Sequence, residues 1–226
     1  ARVWEGPELE WSASTSRGMV RPENEDSWTV HEFSDGTTLA IVADGMGGAE
    51  GGEIASSLAV KYCIEYAVAN LTLESSEDLL RGAISHANAK VYEAASSSAG
   101  AQGMGTTLTA ALFTQGQGTA YVGHVGDSRA YTISRQGIYL VTEDQSITGE
   151  LIRNGSITEE DAMKHPGRNI LTAALGTQES VIVSVYTVDL GTGDVMVLCT
   201  DGLTSLLSSR EVLAILQRSH RDRAAV

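Results

Sequence analysis

Three aspartates, each beside a glycine and each closing an apolar run, carry the first chemical signal in this chain. They are Asp44 in Leu39-Ala-Ile-Val-Ala-Asp-Gly-Met-Gly-Gly48, Asp127 in Val125-Gly-Asp-Ser-Arg129, and Asp201 in Val195-Met-Val-Leu-Cys-Thr-Asp-Gly202. A carboxylate at a strand end, with glycine beside it, can point into a shared pocket while backbone carbonyls also come close. Hard divalent cations such as Mg²⁺ and Mn²⁺ take such oxygen donors. An isolated Asp-Gly pair is an ordinary turn; three after strand-like runs predict a metal site.

The segment Arg17-Gly-Met-Val-Arg-Pro-Glu-Asn-Glu-Asp26 adds to this set. Arg21 is a planar, permanently charged fork suited to a phosphate. On an extended segment Glu25 and Asp26 point to opposite sides, so at most one touches a metal directly. No covalent nucleophile stands out: Ser128 has no paired histidine motif. Two cations roughly 3.5–4 Å apart can share a water, lower its pKa and direct it at phosphorus. The residues predict hydrolysis of a phosphate ester and leave open a protein phosphatase, a small-molecule phosphatase or a nuclease.

The elements that must position these groups follow from periodicity. Leu39 to Ala43 reads as a buried strand, and Leu9 to Thr15 alternates like another. Glu53 to Asn70 has helical period, with Ala55, Leu58, Ala59, Tyr62 and Tyr66 on its apolar side. Ser75 to Ala95 is a second helix, with Ser75 and Asp78 as a cap. Thr106 to Phe113, Thr119 to Val125, Ala130 to Ser134 and Ile138 to Val141 predict an antiparallel meander, and Gly103 to Thr107 reads as a loop entering it. Residues 147–171 are mixed and polar, with a short helix near Thr158-Glu-Glu-Asp161. Val181 to Val188 and Asp194 to Cys199 are strand-like. Ser208-Ser-Arg-Glu211 opens a last helix as a capping box. The order predicts one α+β domain with helices outside stacked antiparallel sheets.

Composition narrows the class. The chain has 226 residues, 42% of them hydrophobic, and a net charge of −14, which argues against a nucleic-acid partner. Cys63 and Cys199 form no CxxC pair, in keeping with a reduced compartment. No uninterrupted apolar span appears, since Ile54 to Leu71 carries Lys61 and Glu65. A cytoplasmic location is the expectation.

Five blocks in one order give a specific resemblance: Arg21-x-x-Asn24-Glu25-Asp26, Val42-Ala-Asp-Gly-Met-Gly-Gly48, Gly103-Met-Gly-Thr-Thr107, Val125-Gly-Asp-Ser-Arg-Ala-Tyr131 and Cys199-Thr-Asp-Gly-Leu203. From about Trp11 to Leu216 the chain resembles the bacterial type of protein phosphatase 2C, the metal-dependent serine/threonine phosphatases. The resemblance implies a central β-sandwich flanked by helices in α-β-β-α layers, and hydrolysis of phosphoserine and phosphothreonine with two Mg²⁺ or Mn²⁺ ions. It implies that Asp44 bridges the metals, that the Gly45 carbonyl completes one site, that Asp201 ligates the other, and that Asp127 holds a third, weaker ion. Arg21 would clamp the substrate phosphate, with Glu25 and Asp26 a ligand pair or holding metal-bound water. Residues 147–171 would be the flap beside the active site. Phosphorylated proteins are the implied substrates and a serine/threonine kinase the implied signalling counterpart.

The sequence departs from the family pattern in three places. No Asp-Asn-(Ile/Val)-Thr block precedes Val226, so the domain is expected without its usual last strand and C-terminal end. No histidine follows the first Asp-Gly turn, which leaves metal-bound water or Glu50 as proton donor. At Thr142-Glu-Asp-Gln-Ser146 the family commonly has Asp-His; Asp144 either faces the metals or is a plain turn residue. His124, on a strand, reads as packed rather than catalytic. These departures keep a second reading open, a catalytically weak pseudophosphatase that binds phosphoproteins or a kinase.

Overall fold

The computed structural model describes residues 9–19, 23–47, 51–97, 103–115, 118–208 and 210–216. The apolar run at Leu39 lies within β2 (Thr38–Met46), the strand that organises the site. β1 (Asp26–Glu32) pairs antiparallel with it in the register Asp26↔Asp44 to Glu32↔Thr38. On the other edge β2 meets β4 (Leu108–Phe113), followed by β5 (Thr119–Val125) and β8 (Ser184–Asp189), all antiparallel. The two-residue β3 (Gly105–Thr106) pairs with the end of β2. A second sheet has the order β7 (Gly137–Leu140), β6 (Arg129–Ser134), β9 (Val195–Cys199).

Strand alternation divides the core in two. Leu39 and Ile41 of β2 and Leu108, Ala110 and Leu112 of β4 face the helices α1 (Gly51–Asn70) and α2 (Ser76–Ser97). Ala111 and Val122 face the second sheet, where they pack with Ala130, Val141, Met196 and Leu198. Two antiparallel sheets with helices over the outer face make the expected α+β sandwich. The helices earn their place through small residues: Ala55, Ala59, Cys63 and Ala67 recur every four residues and are fully buried. The buried stripe of α1 is therefore turned toward Cys63 and Ala67, while Leu58, Tyr62 and Tyr66 are only partly covered. On α2, Leu80, Ala83, Ile84, Ala87 and Val91 are buried as their spacing predicts. Ser75 and Asp78 cap its start, with the Asp78 amide 3.2 Å from Ser75 Oγ.

Several expectations are corrected. Residues 9–15 form no strand; they are irregular and exposed, because no sheet edge meets their alternation. The Thr106–Phe113 run is split at Thr107, since its first residues pair with the end of β2 and the rest with its beginning. The meander is broken as well: β5 and β6 belong to different sheets, so Val125–Arg129 crosses between them. Residues 147–171 hold two helices, α3 (Ile147–Arg153) and α4 (Glu159–Ala162). The first was not foreseen; the second has the capping box that Thr158 and Asp161 predict. After β9 comes α5 (Asp201–Thr204), and then a helical stretch over 210–216 behind the Ser208–Glu211 box. Among the described residues no helix is long and apolar enough to cross a membrane.

Candidate metal centre

Asp44 lies on the inter-sheet face of β2, opposite the face that Ile41 presents to the helices. Its backbone is held on both sides: the amide donates to Thr107 Oγ1 at 2.9 Å, and the carbonyl accepts from Thr106 Oγ1 and the Thr107 amide, each at 2.9 Å. Thr107 Oγ1 is also 2.7 Å from Ser128 Oγ, next to Asp127. One buried hydroxyl thus ties two of the three aspartate turns together. Thr107→Val keeps the shape and removes that oxygen, leaving the Asp44 amide without its partner. We expect a loss of about 1–3 kcal/mol in stability, read as a lowered midpoint in thermal denaturation. An unchanged midpoint would show that the link is immaterial.

Gly45 has a steric reason. A Cβ there would stand 2.0 Å from the Gly52 carbonyl oxygen and 2.7 Å from the Glu25 carbonyl oxygen. Only glycine lets the start of α1 and β1 close around this strand end. Asp127 occupies the crossing between the sheets, after Gly126 at φ +109°, where a Cβ would also meet the Thr107 side chain at 2.6 Å. Asp201 opens α5, behind Thr200, whose Oγ1 donates to Asp26 Oδ2 at 3.0 Å. Asp26 and Asp44 are cross-strand partners and so share a face. Glu25 turns the other way, its Oε1 2.5 Å from where a Gly52 Cβ would stand.

Asp44, Asp127, Asp201, Gly45 and Glu25 thereby line one cleft of about 230 Å³. Asn169 and Leu171 close one side of it from the 147–171 segment, and Thr107 lies at its base. Asp26 stands behind Asp44. Arg21 and Glu50 lie outside the described residues.

Buried carboxylates this close cannot all ionise without a counter-charge. Burial and then the neighbouring Asp201, Asp26 and Asp127 push the Asp44 carboxyl up to about 8, helped by a hydrogen bond with Asp201. Burial, Asp201 and Asp144 push Asp127 up to about 7, against the opposing pull of Arg129. Such repulsion is what a divalent cation neutralises, and the donors are hard oxygens of the kind Mg²⁺ and Mn²⁺ select. Among the described residues no three histidine, cysteine, aspartate or glutamate side chains form a complete cage. The residues fit an ion that keeps several positions for water or substrate oxygen, as these cations usually do.

The other ionisable groups have different partners. Asp144 is gripped by Arg129 through three contacts of 2.7–3.1 Å, so it serves the crossing and does not line the cleft. His124 is buried between Thr109 Oγ1 at 2.9 Å and the Glu143 carbonyl at 3.2 Å. Burial lowers its pKa to about 4 and keeps the ring neutral. It is a packed residue. Burial likewise raises the Cys199 thiol to about 11, far from a reactive thiolate. Thr107, Thr200 and Asn169 are contributors that residue patterns had not singled out. The Thr-Thr pair beside the Asp44 strand and the threonine before Asp201 were visible, but their partners were not.

A family model described as protein phosphatase 2C matches residues 17–224. The chain belongs to the protein phosphatase 2C family. It is 41% identical over 206 residues to the serine/threonine phosphatase stp of Listeria monocytogenes, covering 90% of this chain and 81% of that one. A crystal structure of a bacterial serine phosphatase superposes with a TM-score of 0.83 at 34% identity, covering 90% of this chain and 82% of the other. The catalytic domain of the serine threonine protein phosphatase PstP, in complex with two manganese ions, superposes at 0.77 with 30% identity, covering 91% and 83%.

Proposed function

We propose that this protein phosphatase 2C hydrolyses phosphoserine and phosphothreonine on proteins with a metal-activated water. The observation that carries the reading is the convergence of Asp44, Asp127 and Asp201 on one cleft whose buried carboxyls are driven toward protonation. When bound, paired divalent cations lower the pKa of a water and aim it in line at phosphorus. Asp44 is the residue placed to bridge the pair, Asp201 to ligate one ion, and the Gly45 carbonyl to complete a site. Asp127 takes a third ion. Asp26 orients Thr200 and adds negative charge behind Asp44, and Glu25 supports metal-bound water at the start of α1. Arg21 clamps the phosphate.

The 226 residues act as one phosphatase domain, with 147–171 as the flap that meets the substrate protein through residues such as Asn169. Mn²⁺ is the preferred reading for the metal, supported by the manganese-bound relative, with Mg²⁺ as the competitor. Cytoplasmic signalling opposite a cognate serine/threonine kinase is the setting we infer. The pseudophosphatase alternative has no support: the curated relatives are named phosphatases. A phosphothreonine peptide should be hydrolysed with Mn²⁺ and spared when a chelator is in excess. Undiminished turnover in chelator would overturn the metal mechanism.

A further inference from the structure

Gln145 makes an unusual set of contacts for one side chain at the root of a segment. Its amide donates to the Gly126 carbonyl at 2.7 Å, and its Oε1 accepts from the Gly126 amide at 2.9 Å. It therefore satisfies both backbone groups of the residue before Asp127. Its own carbonyl accepts from the Thr172 amide at 2.8 Å, just past the other end of the 147–171 segment. Its Nε2 reaches Ser184 Oγ of β8 at 3.3 Å. The next residues continue the clasp: Ser146 bridges Leu171, and the Ile147 amide donates to Ile170 at 3.0 Å. On the other side Asp144, held by Arg129, accepts through its carbonyl from Arg153 Nη1 at 2.7 Å, which secures α3.

We propose that Gln145 is a positioning residue that locks both ends of the 147–171 segment to the Asp127 turn, so that the cation at Asp127 and the substrate-facing segment are held as one unit. The physical ground is that the two loops share almost no other fixed frame. Asn169 and Leu171 reach the cleft only through the strand-like closure at Ser146–Leu171. A displacement at Gln145 shifts that closure and the Gly126 peptide together. Buried backbone groups cannot lose such partners cheaply. The role of the segment and of the cation rests on the phosphatase reading above; the clasp itself does not.

The test compares the full chain with Gln145→Ala, Gln145→Glu and Ser184→Ala. Hydrogen exchange is followed at Gly126 and across 147–172, and Mn²⁺ binding by calorimetry. In Gln145→Ala, exchange at Gly126 and at residues 170–172 should rise together by about tenfold or more. The weakest Mn²⁺ step should need about tenfold more metal, as for outer-shell partners of metal ligands. KM for a phosphopeptide should rise more than kcat falls. Gln145→Glu keeps the acceptor for the Gly126 amide and should retain its protection. Ser184→Ala, which removes only the Nε2 contact, should behave like the parent. Exchange that rises at Gly126 alone, or a Mn²⁺ isotherm that superposes on the parent's, would overturn the proposal. If Gln145→Ala fails to fold, loss of Gly126 protection in Gln145→Glu would overturn it instead. Exchange is read without turnover, so an inactive parent chain would sink the phosphatase reading while leaving this coupling intact.

Discussion

Asp44→Asn is expected to lose about 10³-fold or more of Mn²⁺-dependent turnover, while the metal-free protein becomes more heat-stable. The two effects have one cause. The carboxylate is buried among Asp201, Asp26 and Asp127, which together with burial raise its pKa to about 8. In the folded metal-free chain that charge is a burden; with cations bound it is the central ligand. The amide has the same shape, and the bonds that fix this strand end run through the backbone to Thr106 and Thr107. The substitution therefore removes charge without removing structure. A thousandfold loss corresponds to about 4 kcal/mol of transition-state stabilisation. Steady-state kinetics on a phosphothreonine peptide, paired with melting in chelator, reads both arms. Turnover within tenfold of the parent would show that Asp44 does not hold the metals. A lowered metal-free midpoint would show that its burial is not the strain inferred here.

Much of this site could be read before the fold was known, because its central parts are local. An aspartate, its glycine and the apolar run before it lie within a few residues, so Asp44, Asp127 and Asp201 could be singled out together. The opposite facing of Glu25 and Asp26 follows from strand geometry alone. The helices at Ala55 and Leu80 were legible from their period. What could not be read depends on partners far along the chain. Thr107 looked like the entrance to a strand, and its hydroxyl matters only because residues 44 and 128 stand beside it. Asp144 was ambiguous until Arg129 was found in its grip. The turn at Gly126–Asp127 resembles a hairpin, yet it crosses between sheets, and nothing in four residues distinguishes the two. Residues 9–15 show the reverse failure: their alternation suited a strand, but no edge was there to pair with it. The role of Arg21 rests on its motif alone.

The metal-free protein should lose thermal stability as pH rises from about 4 to about 8, and Mn²⁺ should restore it most at the upper end. The ordinary carboxyl value is 3.8, while Asp44 in the folded chain is raised to about 8 and Asp127 to about 7. Across that interval the native state holds protons that the unfolded chain has already released, so each rise in pH favours unfolding. The contribution is intact below the ordinary carboxyl value and is lost as pH passes the raised one. Cations bind the deprotonated carboxylates, so their affinity strengthens over the same interval. At a free Mn²⁺ concentration of about 100 times Kd, binding adds about 2.7 kcal/mol. For a chain of this size that is roughly 5–10 °C in the melting midpoint. Melts in chelator and in Mn²⁺ at several pH values, run beside Asp44→Asn, separate these groups from the other acids. The variant should show a shallower fall with pH and a much smaller response to metal. Identical pH slopes for variant and parent, or an undiminished Mn²⁺ shift in the variant, would mean that the carboxyl cluster neither stores the repulsion nor binds the ions that relieve it.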